Sequence, residues 1–197
     1  LENFFDYRDD GTGESDKEFS SFGSRRWTKK RFHAKCNAVA KTIYWMKDRY
    51  GHLPDVIGFA EIENANVLHR LLKDTALKKA DYAFIHFEGC DRRGIDVGLI
   101  YRRSSFSLVS QSVTVPEYEG EKLATRDILQ VCLRDSKGED IHFIVNHHPS
   151  KYGGSKESDG RRNAAMKALR QVCDSLAEVS DHPVIAMGDF NDTPDSE

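Results

Sequence analysis

The sequence predicts an α/β fold in which two sheets pack face to face with helices outside. Three observations predict it. Short apolar runs of strand length alternate with longer stretches that carry an apolar stripe at helical spacing. Turn signals join some neighbouring runs as hairpins, which makes those pairs antiparallel. The chain has 197 residues, 39% hydrophobic and 31% charged, which is one soluble domain with ample material for a core.

The elements follow in order. Leu1-Glu2-Asn3-Phe4-Phe5-Asp6 opens the chain, and residues 7–24, polar and rich in Gly, Ser and Asp, read as a surface loop. Residues 33–50 place Cys36, Val39, Ala40, Ile43, Met46 and Tyr50 at helical spacing, with Gly51 as the C-terminal stop. A buried strand over 55–60 ends in Glu61-Ile62-Glu63-Asn64, and Glu63 shares a face with Glu61 if the chain stays extended. A second helix spans 65–76, with Val67, Leu68, Leu71 and Leu72 on one face. Strands follow over 82–87 and 95–102, joined by the turn Asp91-Arg92-Arg93-Gly94. Asp96 stands inside the second of these, where burial is costly without a partner. Strands over 106–115 and 128–133 are separated by a polar loop, and Asp135-Ser136-Lys137-Gly138 makes a hairpin to a strand over 141–145. Gly153-Gly154-Ser155 reads as loop, and a helix from Arg161 carries Ala165, Leu169, Val172, Leu176 and Val179 as its stripe. Arg161 and Arg162 could meet an anionic substrate there, although cations oppose the dipole of a helix start. The last apolar run, from Pro183 to Met187, ends abruptly in Gly188-Asp189-Phe190-Asn191-Asp192. Gly188 allows a close turn, and Asp189 and Asn191, two apart, share a side in extended geometry. Hard oxygen ligands at a strand end suit Mg²⁺ or a water poised for attack; an Asx-rich turn is the plainer reading.

The net charge of −3 argues against a broad electrostatic footprint on nucleic acid, though a locally basic cleft remains compatible with it. Arg25, Arg26, Lys29, Lys30 and Arg31 form one basic cluster, and Arg92, Arg93, Arg102 and Arg103 another. The four cysteines, Cys36, Cys90, Cys132 and Cys173, lack zinc spacing and read mainly as buried thiols. No apolar run is long enough to span a membrane, and no signal peptide is present. A leader already removed from an exported protein would leave the same sequence, so the compartment stays open.

Five segments together resemble the endonuclease/exonuclease/phosphatase superfamily, in its order and across nearly the whole chain. Asn3-Phe4-Phe5-Asp6 resembles the end of the family's first-strand motif. Pro54-Asp55-Val56-Ile57 leading to Glu61 resembles the segment with its metal-binding glutamate. Arg126 lies where members tend to place an arginine facing the substrate phosphate, with an ion pair to Asp127 or another acid as the alternative. Asn146-His147-His148-Pro149-Ser150-Lys151 resembles its strand, Asn-His and Ser-Lys segment. Gly188-Asp189-Phe190-Asn191 resembles its signature.

The resemblance implies a four-layer α/β/β/α sandwich and metal-dependent hydrolysis of a phosphoester or phosphodiester. Glu61, with Asn3, would hold Mg²⁺ or Mn²⁺. Asp189 would orient or deprotonate the attacking water. Asn191 and His147 would donate hydrogen bonds to the transition state. Arg126, Asn146 and Asp96 are the candidate substrate-binding residues; a buried partner is the other account of Asp96. A His147–His148 pair can also bind a transition metal, but the oxygen ligands of the other motifs favour hydrogen bonding. A phosphorylated substrate, nucleic acid among the options, and a monomer are expected. A catalytically degenerate member that binds a phosphorylated ligand or protein partner is the alternative.

Ser180-Asp181-His182-Pro183-Val184 looks like the family's final Asp-His motif, yet it precedes Asp189 instead of following it. A strand between would hold His182 at the opposite end, roughly 20 Å away at ~3.3 Å per residue. The sequence is therefore expected to be a single domain, 1–197, truncated before its last Asp-His motif and lacking its first strand.

Overall fold

The computed structural model describes residues 1–8, 11, 13–151 and 155–193. Asp9, Asp10 and Thr12 of the expected surface loop, Gly153 and Gly154 of the expected loop, and Pro194 of the expected turn lie outside the described residues. Among the described residues three helices and nine strands run in the order α1 (Lys29–Tyr50), β1 (Val56–Ile62), α2 (Ala65–Lys73), β2 (Tyr82–His86), β3 (Asp96–Arg102), β4 (Phe106–Thr114), β5 (Glu117–Tyr118), β6 (Glu121–Lys122), β7 (Ile128–Asp135), β8 (Asp140–His147), α3 (Ser155–Val179) and β9 (Val184–Asp189), with a 3₁₀ turn over Ala76–Lys79.

The strands form two main sheets. One is antiparallel, in the order β1-β3-β2; the other, β4-β7-β8-β9, is antiparallel except for the parallel β8–β9 pair. Strand alternation sends each sheet's side chains into two different cores. Phe59, Ile62 and Ile100 pack with Phe32, Cys36, Ala40 and Ile43 of α1 and Val67, Leu68 and Leu71 of α2. Val97, Leu99 and Tyr101 meet Leu129, Val131, Leu133, Phe143 and Val145 between the sheets. Ile128 and Ile144 pack against Ala168, Leu169 and Val172 of α3. Helix, sheet, sheet and helix are therefore four layers with three apolar interfaces, as expected.

Local chemistry sets most boundaries. α1 begins four residues before the expected start because the Thr28 hydroxyl caps Arg31 N–H and Phe32 extends the buried stripe. It stops at Gly51, whose φ of 85° suits a residue without Cβ. α2 starts on the Asn64 cap, at 3.1 Å from Val67 N–H, and ends at Lys73, short of the expected 76. α3 starts at Ser155, ahead of the expected Arg161. The loop before β7 contains a small hairpin, β5–β6, turned by Glu119 and Gly120 at positive φ. No apolar run precedes or follows those residues, so hydrophobic periodicity gave no signal of it.

The strand ends that carry the candidate site residues are brought together at one end of the sandwich. β8 and β9 are parallel, so His147 at the end of one lies opposite Asp189 at the end of the other. The same register leaves His182 beside His142, ring centroids 6.1 Å apart, at the other end. The N-terminal segment lies along the end of β1, with Phe4 bridged in parallel to Ile62. Phe4 and Phe5 are fully buried, and Trp27 Nε1–H donates to the Phe5 carbonyl at 2.8 Å.

Candidate active site

Glu61 sits on a bulge near the end of β1, where the register with β3 shifts between Ala60 and Ile62. Its φ is 62°, a conformation that costs a non-glycine residue energy and is concentrated at functional sites. The bulge turns Glu61 out of the strand's alternation. It therefore does not share a face with Glu63, contrary to the extended-chain expectation. Glu63 instead is buried against the N-terminal loop, accepting from Asp6 N–H at 2.6 Å and Asn64 Nδ2 at 3.2 Å. Burial, with Asp16 beside it, pushes the Glu63 carboxyl up to about 9, so it is protonated at neutral pH.

Asn3 lies next to Glu61, but through its backbone: Asn3 N–H donates to Glu61 Oε2. Asn3 also has a positive φ, 48°. Lys35 of α1 reaches the carbonyls of Glu2 and Asn3 and fixes that turn. The other Glu61 oxygen, Oε1, lies 3.7 Å from the Arg93 guanidinium.

Asp189 closes β9. Gly188 before it has a φ of 138°, and a Cβ there would lie 1.9 Å from the Asn146 carbonyl oxygen. Only glycine permits this approach, and it aligns Asp189 with His147. Asp189 Oδ2 is 4.0 Å from His147 Nε2. Asn191 does not reach the site by strand alternation. The strand ends at Asp189, and Asn191, at φ 50°, folds back so that its N–H donates to Asp189 Oδ1 at 2.9 Å. The Asn191 amide donates to the His148 carbonyl at 2.8 Å. Glu61 and Asp189 both line one open cleft of about 500 Å³, shared with Glu2, Ala60, Met187 and Gly188.

His147 and His148 are both buried, and burial together with the nearby Arg126 pushes them down to about 3 and about 4. Both are neutral at pH 7, so each ring has one N–H to donate. His148 packs edge-on against Phe190, centroids 5.3 Å apart, and its backbone N–H donates to the Asp189 carbonyl. His147 is the histidine beside the Asp189 carboxylate.

The three expected substrate-binding residues make the following contacts. Arg126 is buried, and each of its three side-chain nitrogens has a partner. Nε donates to the His147 carbonyl at 3.1 Å, Nη2 to the His148 carbonyl at 2.7 Å, and Nη1 pairs with Asp91 at 3.1 Å. Arg126 makes the ion pair that was its alternative reading, with Asp91 as the acid, and its bonds to the two histidine carbonyls make it a strut beneath the candidate site. Asn146 is fully buried, its amide donating to the Met187 carbonyl at 2.9 Å, which locks β8 to β9. Asp96 accepts from Gly89 N–H at 3.2 Å and lies 3.6 Å from His86 Nε2; burial pushes its carboxyl up to about 7. These contacts are to β2 and the β2–β3 loop and not to Glu61, His147 or Asp189; the hydrogen bond comes from Gly89, and the His86 ring stands beyond hydrogen-bond length. Arg162 packs at Asp159 and Asp192, away from any free anion-binding role. The residue that sequence reasoning passed over is Arg93. It was visible only as one member of a basic cluster.

The donor set fits a hard divalent cation. Among the described residues no cluster of three or more His, Cys, Asp or Glu side chains is arranged as a metal cage. Mg²⁺ does not need one: it keeps several waters and is commonly held by one or two carboxylates plus substrate phosphates. Glu61 on the cleft wall, with Asp189 across it, offers that kind of oxygen set. No helix among the described residues is long and apolar enough to cross a membrane.

Solved structures share this fold. Human Nocturnin, solved as its catalytic domain with bound sulfate, matches with a TM-score of 0.65 and 19% identity over 83% of this chain and 58% of its own. D. rerio TDP2, complexed with a single-stranded DNA product, matches with a TM-score of 0.52 and 23% identity over 78% of this chain and 54% of its own. ANGEL2, a 2',3'-cyclic phosphatase, matches with a TM-score of 0.57 and 17% identity over 79% of this chain and 44% of its own. At these identities the likeness is one of fold, and the chain spans about half the length of each of these proteins. Among curated proteins nothing matches. The sequence itself matches the Endonuclease/Exonuclease/phosphatase family over residues 1–197. With the four-layer fold and its cleft at the strand ends, the chain belongs to the endonuclease/exonuclease/phosphatase family.

Proposed function

We propose that this protein is a phosphoesterase that hydrolyses a phosphoester or phosphodiester with the help of Mg²⁺ or Mn²⁺. The observation that carries the reading is that Glu61 and Asp189, from two strand ends, line one cleft, with His147 Nε2 4.0 Å behind the Asp189 carboxylate. Family membership and the phosphoester chemistry of the structural relatives support it.

Glu61, with Asn3 beside it, would hold the cation, which when bound polarises the phosphoryl oxygen and offsets charge on the leaving oxygen. Asp189 is exposed to the cleft and orients the attacking water, or takes its proton. Neutral His147 donates a hydrogen bond to the phosphoryl oxygens as negative charge builds on them. Asn191 supplies a second donor once its amide turns from the His148 carbonyl. Arg126 holds the His147 and His148 carbonyls, so the imidazole is placed before substrate arrives.

The test is turnover of a generic phosphodiester, bis(p-nitrophenyl) phosphate, by the full-length protein with Mg²⁺, with EDTA, and in the Asp189→Ala variant. Metal-dependent turnover lost in the variant is expected. Metal binding without turnover on a panel of nucleic acids, phospholipids and inositol phosphates would instead favour a binding protein.

A further inference from the structure

We propose that Arg93 is the anion-binding residue of the cleft, paired with Glu61 in the resting site and with a substrate phosphate once a divalent cation occupies Glu61. The inference rests on the phosphoesterase reading of the same site.

Arg126 is 7% exposed and each of its three nitrogens already has a buried partner, His147, His148 or Asp91, which turns it away from a ligand. Its neighbours in the second basic cluster are also engaged. Arg92 clasps Glu14 through Nε and Nη2 at 3.1 and 2.8 Å, Arg102 pairs with Asp55, and Arg103 with Asp81. Arg93 differs. Its side chain is 42% exposed, and its guanidinium stands 3.7 Å from Glu61 Oε1 and 3.9 Å from Asp91 Oδ1. Both separations exceed hydrogen-bond length, so these are loose ion pairs.

The head group is loose but the backbone below it is fixed. Arg93 N–H donates to Asp91 Oδ1 at 3.0 Å, and Asp91 is gripped by Arg126, which is itself bonded to the His147 carbonyl. Arg93 is thus held in register with His147 and Glu61 while its planar fork remains open. That fork matches phosphate in a bidentate way, which a lysine's point charge does not.

Charge then decides which anion it faces. Before metal binds, Glu61 attracts the guanidinium. With a divalent cation held by Glu61, that attraction would be lost and the Arg93 guanidinium would be free to turn to another anion. A phosphoester reaching the cation brings new negative oxygens within range of the released fork. Arg93 therefore competes with the metal in the free site and assists phosphate in the loaded one.

The test uses full-length Arg93→Gln and Arg93→Lys, with Arg92→Gln as a control that removes the same charge one residue away. Mn²⁺ binding is followed by electron paramagnetic resonance, and inorganic phosphate binding at saturating Mg²⁺ by calorimetry. Arg93→Gln is expected to bind Mn²⁺ about threefold more tightly, the scale of one partly exposed ion pair. It is expected to bind phosphate at least about tenfold more weakly, the scale of a charge-assisted hydrogen bond. Arg93→Lys should lie between, and Arg92→Gln should match the wild type in both. Unchanged phosphate affinity in Arg93→Gln, or equal losses in Arg92→Gln, overturns the assignment even where the wild type hydrolyses the diester. A wild type that neither hydrolyses the diester nor binds phosphate takes down both this inference and the phosphoesterase reading.

Discussion

Replacing Arg126 by Met separates a structural arginine from a substrate-facing one. Met keeps much of the length and apolar bulk but removes every donor. The Asp91 carboxylate, 5% exposed, is left with one backbone N–H and no buried cation, and the His147 carbonyl loses its Arg126 donor. Removing one partner of a buried pair costs ~3–5 kcal/mol, much of it from the stranded charge. The His148 carbonyl still has the Asn191 amide, so it adds little. At ~2–4 °C per kcal/mol for a domain of this size, the melting temperature should fall by about 6–20 °C. Urea denaturation of the full-length protein gives the free energy directly, provided the transition is two-state. Adding Asp91→Asn to Arg126→Met removes the stranded charge, so the double variant should regain ~1–3 kcal/mol over the single one. An Arg126→Met protein within ~0.5 kcal/mol of the wild type, with a raised KM as its main defect, would refute the strut and restore the substrate-facing role; that threshold is the scatter of surface substitutions.

Other outcomes follow from the same geometry. His147→Ala should lower kcat by ~10²–10⁴-fold, the usual range for a positioned proton-transfer or hydrogen-bonding group, while His182→Ala at the far end of β9 should leave it unchanged; equal losses in a steady-state assay would show that the motif is misplaced. Gly188→Ala should destabilise by ~2–4 kcal/mol, since it adds backbone strain to a contact with the Asn146 carbonyl that leaves no room for a Cβ; a wild-type denaturation midpoint would contradict the close approach. His147 and His148 titrate near 3 and 4 when folded and near 6.5 when unfolded, so the unfolded chain binds more protons between those values. Their contribution is fully present above pH ~6.5 and is lost as pH falls through the folded values, opposed by the raised Glu63 and Asp96 carboxyls, so the urea midpoint of His148→Gln should gain on that of the wild type between pH 7 and pH 4.5. Glu61→Gln should abolish Mn²⁺ binding seen by electron paramagnetic resonance, while the fold, read by circular dichroism, persists.

What the sequence determined by itself was the set of local alternatives. Period and capping placed α1, α2 and the central strands within a few residues, because the Thr28 and Asn64 caps and the apolar stripes act over one or two turns. The same apolar content required two sheets with helices outside, and the motifs put Glu61, His147, Asp189 and Asn191 at strand ends. Tertiary structure decided how those ends meet. The parallel β8–β9 register brings Asp189 to His147 and leaves His182 at the far end. The bulge at Glu61 separates it from Glu63, and the turn at Asn191 replaces the expected alternation. Alternation assumes an extended chain, and three candidate site residues, Asn3, Glu61 and Asn191, have a positive φ that breaks it. The arginines depended most on tertiary structure. Spacing cannot tell a guanidinium bound to buried carbonyls from one left open in a cleft, since partners far apart in the chain make that difference. Arg126 lies 21 residues from His147 and 35 from Asp91, and Arg93 meets Glu61 only because β1 and the β2–β3 turn end at the same place.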